Sequence, residues 1–350
     1  MSPIIQVFLK DVASGNLFEL PFTSISFIDE LNAGKQATFN FDFMAMKDIA
    51  SKYSTTVVSM FTSSLKEIWV TMNGTTIWLG VVSEYDKSRD ASANYTLSVA
   101  AIDYFALFQK RRTGLTEVDF SAVDPATIPW SLINTSQGLT NGSYGITQGA
   151  TASTGLSVTV AYKNSEIRQE IIKLSNAQTN NSFDFDIDFT KKFNVYYPTK
   201  GSVRSNIVLD DNNILANSVK IPLVLSLTNS VFVTGQGINN DQAAVNRQAS
   251  AYQTAYGLLE DVTSDINISD TNLLNALGDR FLALNEQPLY QISLKHDGAD
   301  PDITTFDVGD TIIVNLPDEA ISYSQYRVKK RTVDIDQSGQ VISQIDLLLI

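Results

Sequence analysis

The sequence contains no cysteine and only one histidine, His296, among its 350 residues. The lack of thiols excludes a disulfide framework, a zinc–thiolate site, an iron–sulfur cluster and a cysteine nucleophile. A multi-histidine metal site is also excluded, and a Ser-His-Asp triad would have to use His296. We therefore predict no catalytic residues, no cofactor and no metal site, and we predict that the chain is not an enzyme.

Positive charge is scarce as well. The chain has 25 Lys and Arg residues against 38 Asp and Glu residues, a formal net charge of −13. Such an excess repels nucleic acid on average. The N-terminus lacks a signal-peptide pattern, and no apolar run approaches the roughly 20 residues that cross a bilayer. We expect a chain without a membrane span that is made in the cytoplasm.

The most informative stretch is residues 68–112. Asn73-Gly74 lies between two apolar segments, the strongest short-range signal for a β-hairpin. A third strand and a short helix follow, and the helix ends in Lys110-Arg111-Arg112. Positive charge is favourable at a helix C-terminus, which is our interpretation of this cluster. Contact with DNA or with a partner's acidic residues is the alternative.

The second strand of this hairpin is apolar on both faces. Strict alternation places Ile77, Leu79 and Val81 on one side and Trp78 and Val82 on the other. Such a strand is either central in a domain or buried in an interface. We predict that these five residues are interface residues, with one row or the other buried between domains or subunits.

The rest of the chain is mixed in character. Residues 113–157 are rich in Gly, Thr, Ser and Asn, which predicts a long connecting region with some helix near residues 126–134. Asn164 or Ser165 can cap one helix, and Ser269 or Asp270 caps another. The apolar stripe of that second helix is predicted from its helical spacing to be Leu273, Leu277, Phe281 and Leu284. Two β-rich blocks, near 1–108 and 215–350, bracket the mixed middle.

One strand alternates between aromatic or aliphatic and acidic residues. Asp184, Asp186 and Asp188 share one face, which we interpret as a solvated or lumen-facing surface. A calcium site is the alternative, but same-face residues lie about 7 Å apart along a strand, an awkward spacing for one ion. Asp210-Asp211-Asn212-Asn213 lacks the glycine and glutamate of a calcium-binding loop and reads as a turn.

Two further motifs indicate structure rather than chemistry. His296 precedes Asp297 and Gly298, and no Gly-x-Ser-x-Gly motif supplies a nucleophile, so we predict a histidine in a surface loop. Gly235-Gln236-Gly237 has no third glycine and no surrounding βαβ unit, so we predict a strand end.

A series of short sequence segments covers nearly the whole chain in a characteristic order. They are the hairpin 69–82, Phe108-Gln109-Lys110-Arg111-Arg112, the helix 165–174, the strand 183–189, Tyr197-Pro198-Thr199-Lys200-Gly201, the segments 229–237 and 256–260, the helix 270–285, Phe306-Asp307-Val308-Gly309-Asp310, and Arg327-Val328 before a closing hairpin. Together they resemble the siphophage tail hub family, whose members are also called baseplate hub or tail-associated proteins.

The resemblance implies a fold similar to the central hub of contractile-tailed phage baseplates. That fold is α+β and mainly β, with two tube-like β-barrel or sandwich domains bracketing mixed α/β domains. We assign residues 1–108 to the first tube-like domain and 109–215 to a mixed middle domain with a long loop. Residues 216–290 are assigned to a second tube-like region with a helix, and 291–350 to the strands that complete it.

The resemblance also implies a function and partners. It predicts a homotrimer at the tail tip of the virion, forming a ring that adapts a hexameric tail tube to a threefold tip. The implied partners are the distal tail protein or tail tube, the tape measure protein, and receptor-binding or fibre proteins. DNA would pass through the lumen without specific binding, because an acidic wall repels it. Such a virion is assembled in the host cytoplasm.

Larger members of the family continue into a fibre or a cell-wall-degrading domain, whereas this sequence stops at Ile350, so we expect a bare hub. Two other functions stay open. One is a carbohydrate-binding or adhesin module on the virion. The other is a glycan hydrolase, because 38 acidic residues leave room for a catalytic carboxylate pair.

Overall fold

The computed structural model describes residues 3–89, 95–176, 183–216, 219–221, 227–238, 241–265, 268–286, 291–298 and 300–350. The chain is α+β and mainly β, as predicted. The helices are α1 (Phe43–Lys52), α2 (Val57–Thr62), α3 (Ile128–Gln137), α4 (Ile167–Asn176), α5 (Ser250–Tyr256) and α6 (Thr271–Asn285), with 3-10 turns at Ala106–Lys110 and Pro317–Glu319. None of the helices in these ranges is both long and apolar enough to cross a membrane.

The strands fall into one large sheet and three small ones. They are β1 (Ile5–Asp11), β2 (Leu17–Leu20), β3 (Ser24–Glu30), β4 (Gln36–Asp42), β5 (Lys66–Met72), β6 (Thr75–Arg89), β7 (Tyr95–Ile102), β8 (Val118–Val123), β9 (Thr147–Thr151), β10 (Val158–Tyr162), β11 (Asp184–Ile187), β12 (Lys192–Tyr196), β13 (Val203–Asp210), β14 (Ser230–Thr234), β15 (Ala244–Gln248), β16 (Glu260–Ser264), β17 (Gln291–Asp297), β18 (Thr311–Leu316), β19 (Ile321–Asp336) and β20 (Val341–Leu349).

The large sheet joins both ends of the chain. Its order is β13-β18-β19-β3-β4-β7-β6-β5-β1-β2, with β20 on the opposite edge of β19 and β17 beyond it. Among the described strands this order is open and does not close into a barrel. The small sheets are β8–β10, β9–β12–β11, and β15–β14–β16.

Strand β19 is the bridge between the two β-rich blocks. Its first half pairs with β18, and its second half pairs with β3. The inward side chains change core along the strand, since Tyr326 and Val328 pack in the C-terminal core whereas Val333 and Ile335 pack in the N-terminal core. The blocks near 1–108 and 215–350 are therefore parts of one continuous sheet. The sequence-derived domain limits stay a prediction.

Four buried apolar clusters accompany this sheet. The first core lies under the N-terminal strands and α1, and the middle core combines α3 and α4 with the sheet of β9, β11 and β12. A C-terminal core lies between β13 and β17–β20, and a small core lies between β14 and α6. The helix predicted near residues 126–134 is confirmed as α3. The rest of 113–157, predicted to be a connecting region, contributes β8, β9 and part of the middle core.

The hairpin at Asn73-Gly74 is confirmed, with positive φ angles of 52° and 81° at these two residues. The strict alternation predicted for β6 is wrong at one position. Val70 pairs with Trp78 and Thr71 with Thr76, so Ile77 is an extra residue in a β-bulge. The bulge brings Ile77 into the first core with Trp78, while Leu79 and Val81 pack against the middle core.

The prediction that His296 lies in a surface loop is wrong. It lies in β17, is fully buried and pairs in register with Ser343 of β20. Its Nδ1 contacts the Asp297 carbonyl oxygen at 2.8 Å, and burial lowers the pKa of the imidazole. Alternation within β17 places His296 in the same inward row as Ile292 and Leu294, a pattern that the neighbouring glycine obscured.

Helix α6 begins after Asp270, as predicted, and the Asp270 carboxylate accepts a hydrogen bond from the Asn272 N–H. Its buried stripe is displaced by one residue from the predicted one, to Leu274, Gly278 and Leu282, and Leu273 is 40% exposed. The predicted strands that start at Asn94 and Leu289 begin outside the described residues. Most of the strand predicted at 219–225 also lies outside them.

Gly80 is required where β6 crosses β7. A Cβ atom at this position would overlap the Ile102 carbonyl oxygen and the Trp78 ring. We expect Gly80→Ala to lower the free energy of unfolding by roughly 1–3 kcal/mol, the usual cost of overpacking. Urea denaturation monitored by tryptophan fluorescence measures this loss.

The matched control is Gly138→Ala, because Gly138 has an ordinary helical φ of −69° and room for a Cβ atom. The free energy of unfolding of this variant should lie within about 1 kcal/mol of the parent value, or be higher than the parent value. Equal losses in the two variants would contradict the close approach at Gly80.

Candidate functional site at the junction of the cores

The five predicted interface residues all lie where two cores of the same chain meet. Ile77 and Trp78 are buried in the first core, and Val82 packs against its margin. Val81 is buried in the middle core, and Leu79 is half-buried against it. Strand β6 thus separates two cores within one chain. Whether these residues also contact a second subunit stays a prediction.

A chain of charged side chains crosses the same junction. Asp29 of β3 and Arg331 of β19 are direct cross-strand partners, and both are almost fully buried. Arg331 Nη2 lies 3.6 Å from Asp29 Oδ2 and 3.3 Å from Asp307 Oδ1. Its Nη1 donates to the carbonyl oxygens of Ile303 at 2.8 Å and Phe306 at 3.0 Å.

Lys200 extends this chain of charges to the middle core. Its Nζ lies 2.9 Å from Asp186 Oδ2 and 3.1 Å from Asp307 Oδ2. Burial alone would lower the pKa of Lys200, but the carboxylates of Asp307 and Asp186 outweigh it and raise the pKa. Partial burial would raise the pKa of Asp307, but Lys200 and Arg331 hold it well below the usual range. Both groups therefore stay charged at neutral pH.

Asp184 connects the network to two more segments. Its carboxylate accepts hydrogen bonds from Asn32 Nδ2 at 2.8 Å and from the Lys200 N–H at 2.6 Å, and it pairs with the Arg327 guanidinium. The Asn32 Oδ1 in turn accepts from the Phe185 N–H at 2.8 Å. A turn between β3 and β4, a strand of the middle sheet and strand β19 are therefore held at one carboxylate.

The acidic strand was predicted to form a solvated or lumen-facing surface, and this prediction is wrong. Asp184 is buried, Asp186 pairs with Lys200, and Asp188 closes the following turn by accepting from Thr190 and Lys192 N–H groups. The carboxylates of Asp184 and Asp186 are thus paired with Arg327 and Lys200. Within the described ranges, no cluster of three or more acidic or histidine side chains is placed to hold a metal ion.

The Val308-Gly309-Asp310 turn also belongs to the junction. Asp310 Oδ1 accepts from the Ser202 N–H at 2.8 Å, and its Oδ2 lies 3.0 Å from Arg204 Nε. Gly201 and Gly309 have φ angles of +94° and +95°, and a Cβ atom on Gly201 would overlap the Gly309 backbone. The two glycines let the segments after β12 and before β18 touch.

A second polar link joins β5 to the middle sheet. Glu67 is buried, accepts a hydrogen bond from the Tyr104 hydroxyl and pairs with the Lys191 ammonium. Lys191 lies 4.6 Å from the centre of the Tyr104 ring. Burial raises the pKa of Tyr104, and the Glu67 carboxylate raises it further. Because Glu67 pairs in register with Val81, this link lies beside the two-faced strand.

Arg111 of the basic cluster Lys110-Arg111-Arg112 contacts a different helix from the one predicted. The Arg111 guanidinium donates to the carbonyl oxygens of Ser136, near the C-terminus of α3, and of Gly142. It also lies 5.3 Å from the centre of the Tyr144 ring. Lys110 lies in the last turn of its own 3-10 helix, as predicted, whereas Arg111 supplies its charge near the C-terminus of a neighbouring helix. Arg112 forms a backbone bridge with Glu166.

The contacts of the junction fix the relative positions of the cores. Acidic groups face basic groups at short distance, so the arrangement orients the cores relative to one another. Sequence reasoning missed Asp29 and Arg331, although a signal was present. Asp29 alternates in phase with the inward-facing Ile25 and Phe27 of β3. Arg331 alternates in phase with the inward-facing Val333 and Ile335 of β19.

We expect Arg331→Met to lower the free energy of unfolding by roughly 3–5 kcal/mol, because it leaves buried Asp29 short of a cation and two carbonyl oxygens without a donor. The matched control is Arg247→Met. Arg247 pairs with Asp279 at 2.6 Å, but the two side chains are 39% and 54% exposed. This variant should lose less than about 1 kcal/mol. Similar losses in chemical denaturation would argue against a structural role for the junction.

Asp103 gives the junction a specific pH dependence. Its carboxylate accepts from the Ala106 N–H at 2.8 Å, and burial raises its pKa to about 6 although that bond and Lys35 favour the charged form. Since the folded-state pKa exceeds the unfolded value of 3.8, stability falls as pH rises through this window.

Asp103→Asn removes this ionisation. The difference in free energy of unfolding, variant minus parent, should be roughly 3 kcal/mol larger at about pH 8 than at about pH 4. This follows from about 1.4 kcal/mol per pKa unit. Denaturation midpoints at the two pH values measure the difference. A difference between variant and parent that does not change with pH would refute the buried ionisation.

No protein-family model and no curated protein matches this sequence. The fold, in contrast, is similar to solved structures over the full length. A 43-kDa tail protein of prophage MuSo2 from Shewanella oneidensis superposes with a TM-score of 0.67 at 11% identity, covering 99% of this chain and 98% of that one. A tail protein from Neisseria meningitidis superposes with a TM-score of 0.65 at 9% identity, covering 98% and 96%.

A third similar structure is an Escherichia coli component of the type VI secretion system that is described as structurally similar to two T4 bacteriophage tail proteins. It superposes with a TM-score of 0.55 at 9% identity, covering 95% of this chain and 74% of that one. At such identities the likeness concerns the fold. The chain therefore has the fold of these phage tail and hub-like proteins, as the sequence resemblance implied.

Proposed function

We propose that this chain is a structural hub of a bacteriophage tail tip, a homotrimeric ring that adapts a hexameric tail tube to a threefold tip. The observation that carries the proposal is the near-complete mutual coverage, 99% and 98%, between this chain and a prophage tail protein. The likeness extends across all four cores rather than one module. In the virion the ring contacts the distal tail protein or tail tube and the tape measure protein, and it anchors receptor-binding or fibre proteins.

The way that charge is used supports a structural role. Three of the buried acidic groups, Asp29, Asp184 and Glu67, are paired with basic side chains, and His296 lies in a β-strand inside the protein. A catalytic carboxylate pair needs access to substrate and unequal environments for an acid and a base. These groups hold segments together instead, as expected of a protein whose activity is its shape.

One face of the large sheet suits the wall of a DNA passage. Cross-strand register places small polar residues side by side and acidic residues at both ends of each row. The two rows are Asp334–Ser26–Thr38–Ala100–Glu84 and Asp336–Ser24–Asn40–Ser98–Asp86. A polyanion is repelled by the acidic residues at the ends of these two rows. We assign this face to the lumen.

Further along the same face of the sheet, an apolar row supplies a subunit contact. Phe8, Trp69 and Leu79 are direct cross-strand partners on β1, β5 and β6, and all three are half-buried. The Phe8 and Trp69 rings stack with centroids 5.3 Å apart. Leu79 and Val81 pack against the middle core, and the apolar row extends from them past the edge of that core. An adjacent copy in the ring would bury this row.

Mass photometry tests the ring. The purified chain should give a species of about 116 kDa, three times the 38.5-kDa protomer, and negative-stain images should show threefold rings. Antibody labelling should place the protein at the tail tip of intact virions. A species that stays monomeric and binds glycans on an array would instead favour the adhesin function.

Trp69→Lys tests the contact surface. We expect it to shift the population from trimer to monomer with little change in melting temperature, because a charge replaces an apolar surface that the neighbour buries. Phe232→Lys is the control, since Phe232 is 41% exposed but lies on the separate β14 sheet. A Trp69→Lys protein that remains trimeric would exclude this surface while leaving the ring itself in place.

A further inference from the structure

A groove of about 400 Å³ lies between the middle core and the small core. Its walls are β10, the C-terminal half of α4 and the start of α6, and its apolar lining includes Val158, Val160, Leu174 and Leu273. The volume lies within the range of about 300–1,000 Å³ that is usual for ligand sites. Neither the charge junction nor the Phe8–Trp69–Leu79 row contributes to it.

Strand β10 presents an unpaired edge to this groove. Among the described strands, β10 pairs only with β8, in a two-stranded sheet. Residues 156–160 all line the groove, five in succession. Because successive side chains of a strand point to opposite faces, a groove lined by consecutive residues runs along the strand's edge. Backbone N–H and C=O groups on such an edge are ready to pair with another strand.

The rim of the groove is acidic. Glu170, Asp265 and Asp270 line it together with a single cation, Lys173, whose ammonium lies 3.1 Å from Glu170. Burial raises the pKa of the Tyr162 hydroxyl, and the carboxylates of Glu170 and Asp265 raise it further. A ligand that carries positive charge beside its apolar groups would be attracted to this rim.

We propose that the groove binds an extended polypeptide segment of another protein, which joins β10 as a third strand. The segment has apolar side chains at alternate positions, which fill the space between β10, Leu174 and Leu273, and lysine or arginine residues that face the acidic rim. Backbone pairing supplies affinity, and the alternating side chains supply specificity. The groove lies within one chain, so this binding is independent of the ring proposed above.

The test uses the full-length chain and a fluorescein-labelled nonapeptide in which valine alternates with lysine and threonine. We expect saturable binding by fluorescence anisotropy and slowed amide hydrogen exchange at residues 156–160. Replacing the lysines of the peptide by glutamate should abolish binding through repulsion at the rim. Replacing its central residue by proline should weaken binding, because proline cannot donate to the new strand pair.

Leu273→Lys places a charge in the apolar wall and should weaken binding by about tenfold or more. Leu258→Lys is the control, because Leu258 is a 58% exposed leucine that does not line the groove, and it should bind as the parent does. The proposal is overturned if the parent chain does not bind the basic peptide. It is also overturned if Leu273→Lys binds it equally well, if the acidic peptide binds equally well, or if residues 156–160 gain no protection.

Discussion

The pairing of β3 with β19 is the constraint on which the rest of this structure depends. It carries the sheet from the N-terminal block into the C-terminal block, and it places Asp29 opposite Arg331 inside the protein. A buried ion pair stabilises little compared with an apolar pair of similar size, but a shift in register would separate it and remove one of the two charged partners of each residue. The pair therefore specifies one alignment of the two blocks.

The other polar contacts extend this specification to the middle core. Lys200, Asp184 and Arg327 fix one side of the junction, and Glu67 with Lys191 fixes another. The proposed adapter function would require surfaces that point in different directions and keep a constant relation to one another. Charged contacts that tolerate few geometries provide that constancy better than apolar contacts, which allow sliding.

Local signals in the sequence predicted the local structure well. Asn73-Gly74 predicted a hairpin, and Asp270 predicted the start of α6, because both depend on neighbouring residues only. Ile77 was misplaced because a bulge is set by pairing with β5, which alternation does not reveal. The acidic strand and His296 were assigned to the surface because residue type outweighed phase. The Arg327 partner of Asp184 and the Ser343 partner of His296 lie more than 40 residues away in the sequence.

The bridging role of β19 has a consequence for synthesis. The first block has its own strands by residue 102, but its sheet gains its neighbour at β3 only when residues 330–336 have left the ribosome. At about 5–20 residues per second, this interval lasts roughly 10–50 s. Until then β3 is an unprotected edge that carries an inward-facing acidic residue, Asp29, with Lys35 as its basic partner. Asp29 thus discourages premature pairing of nascent chains with one another before the correct partner arrives.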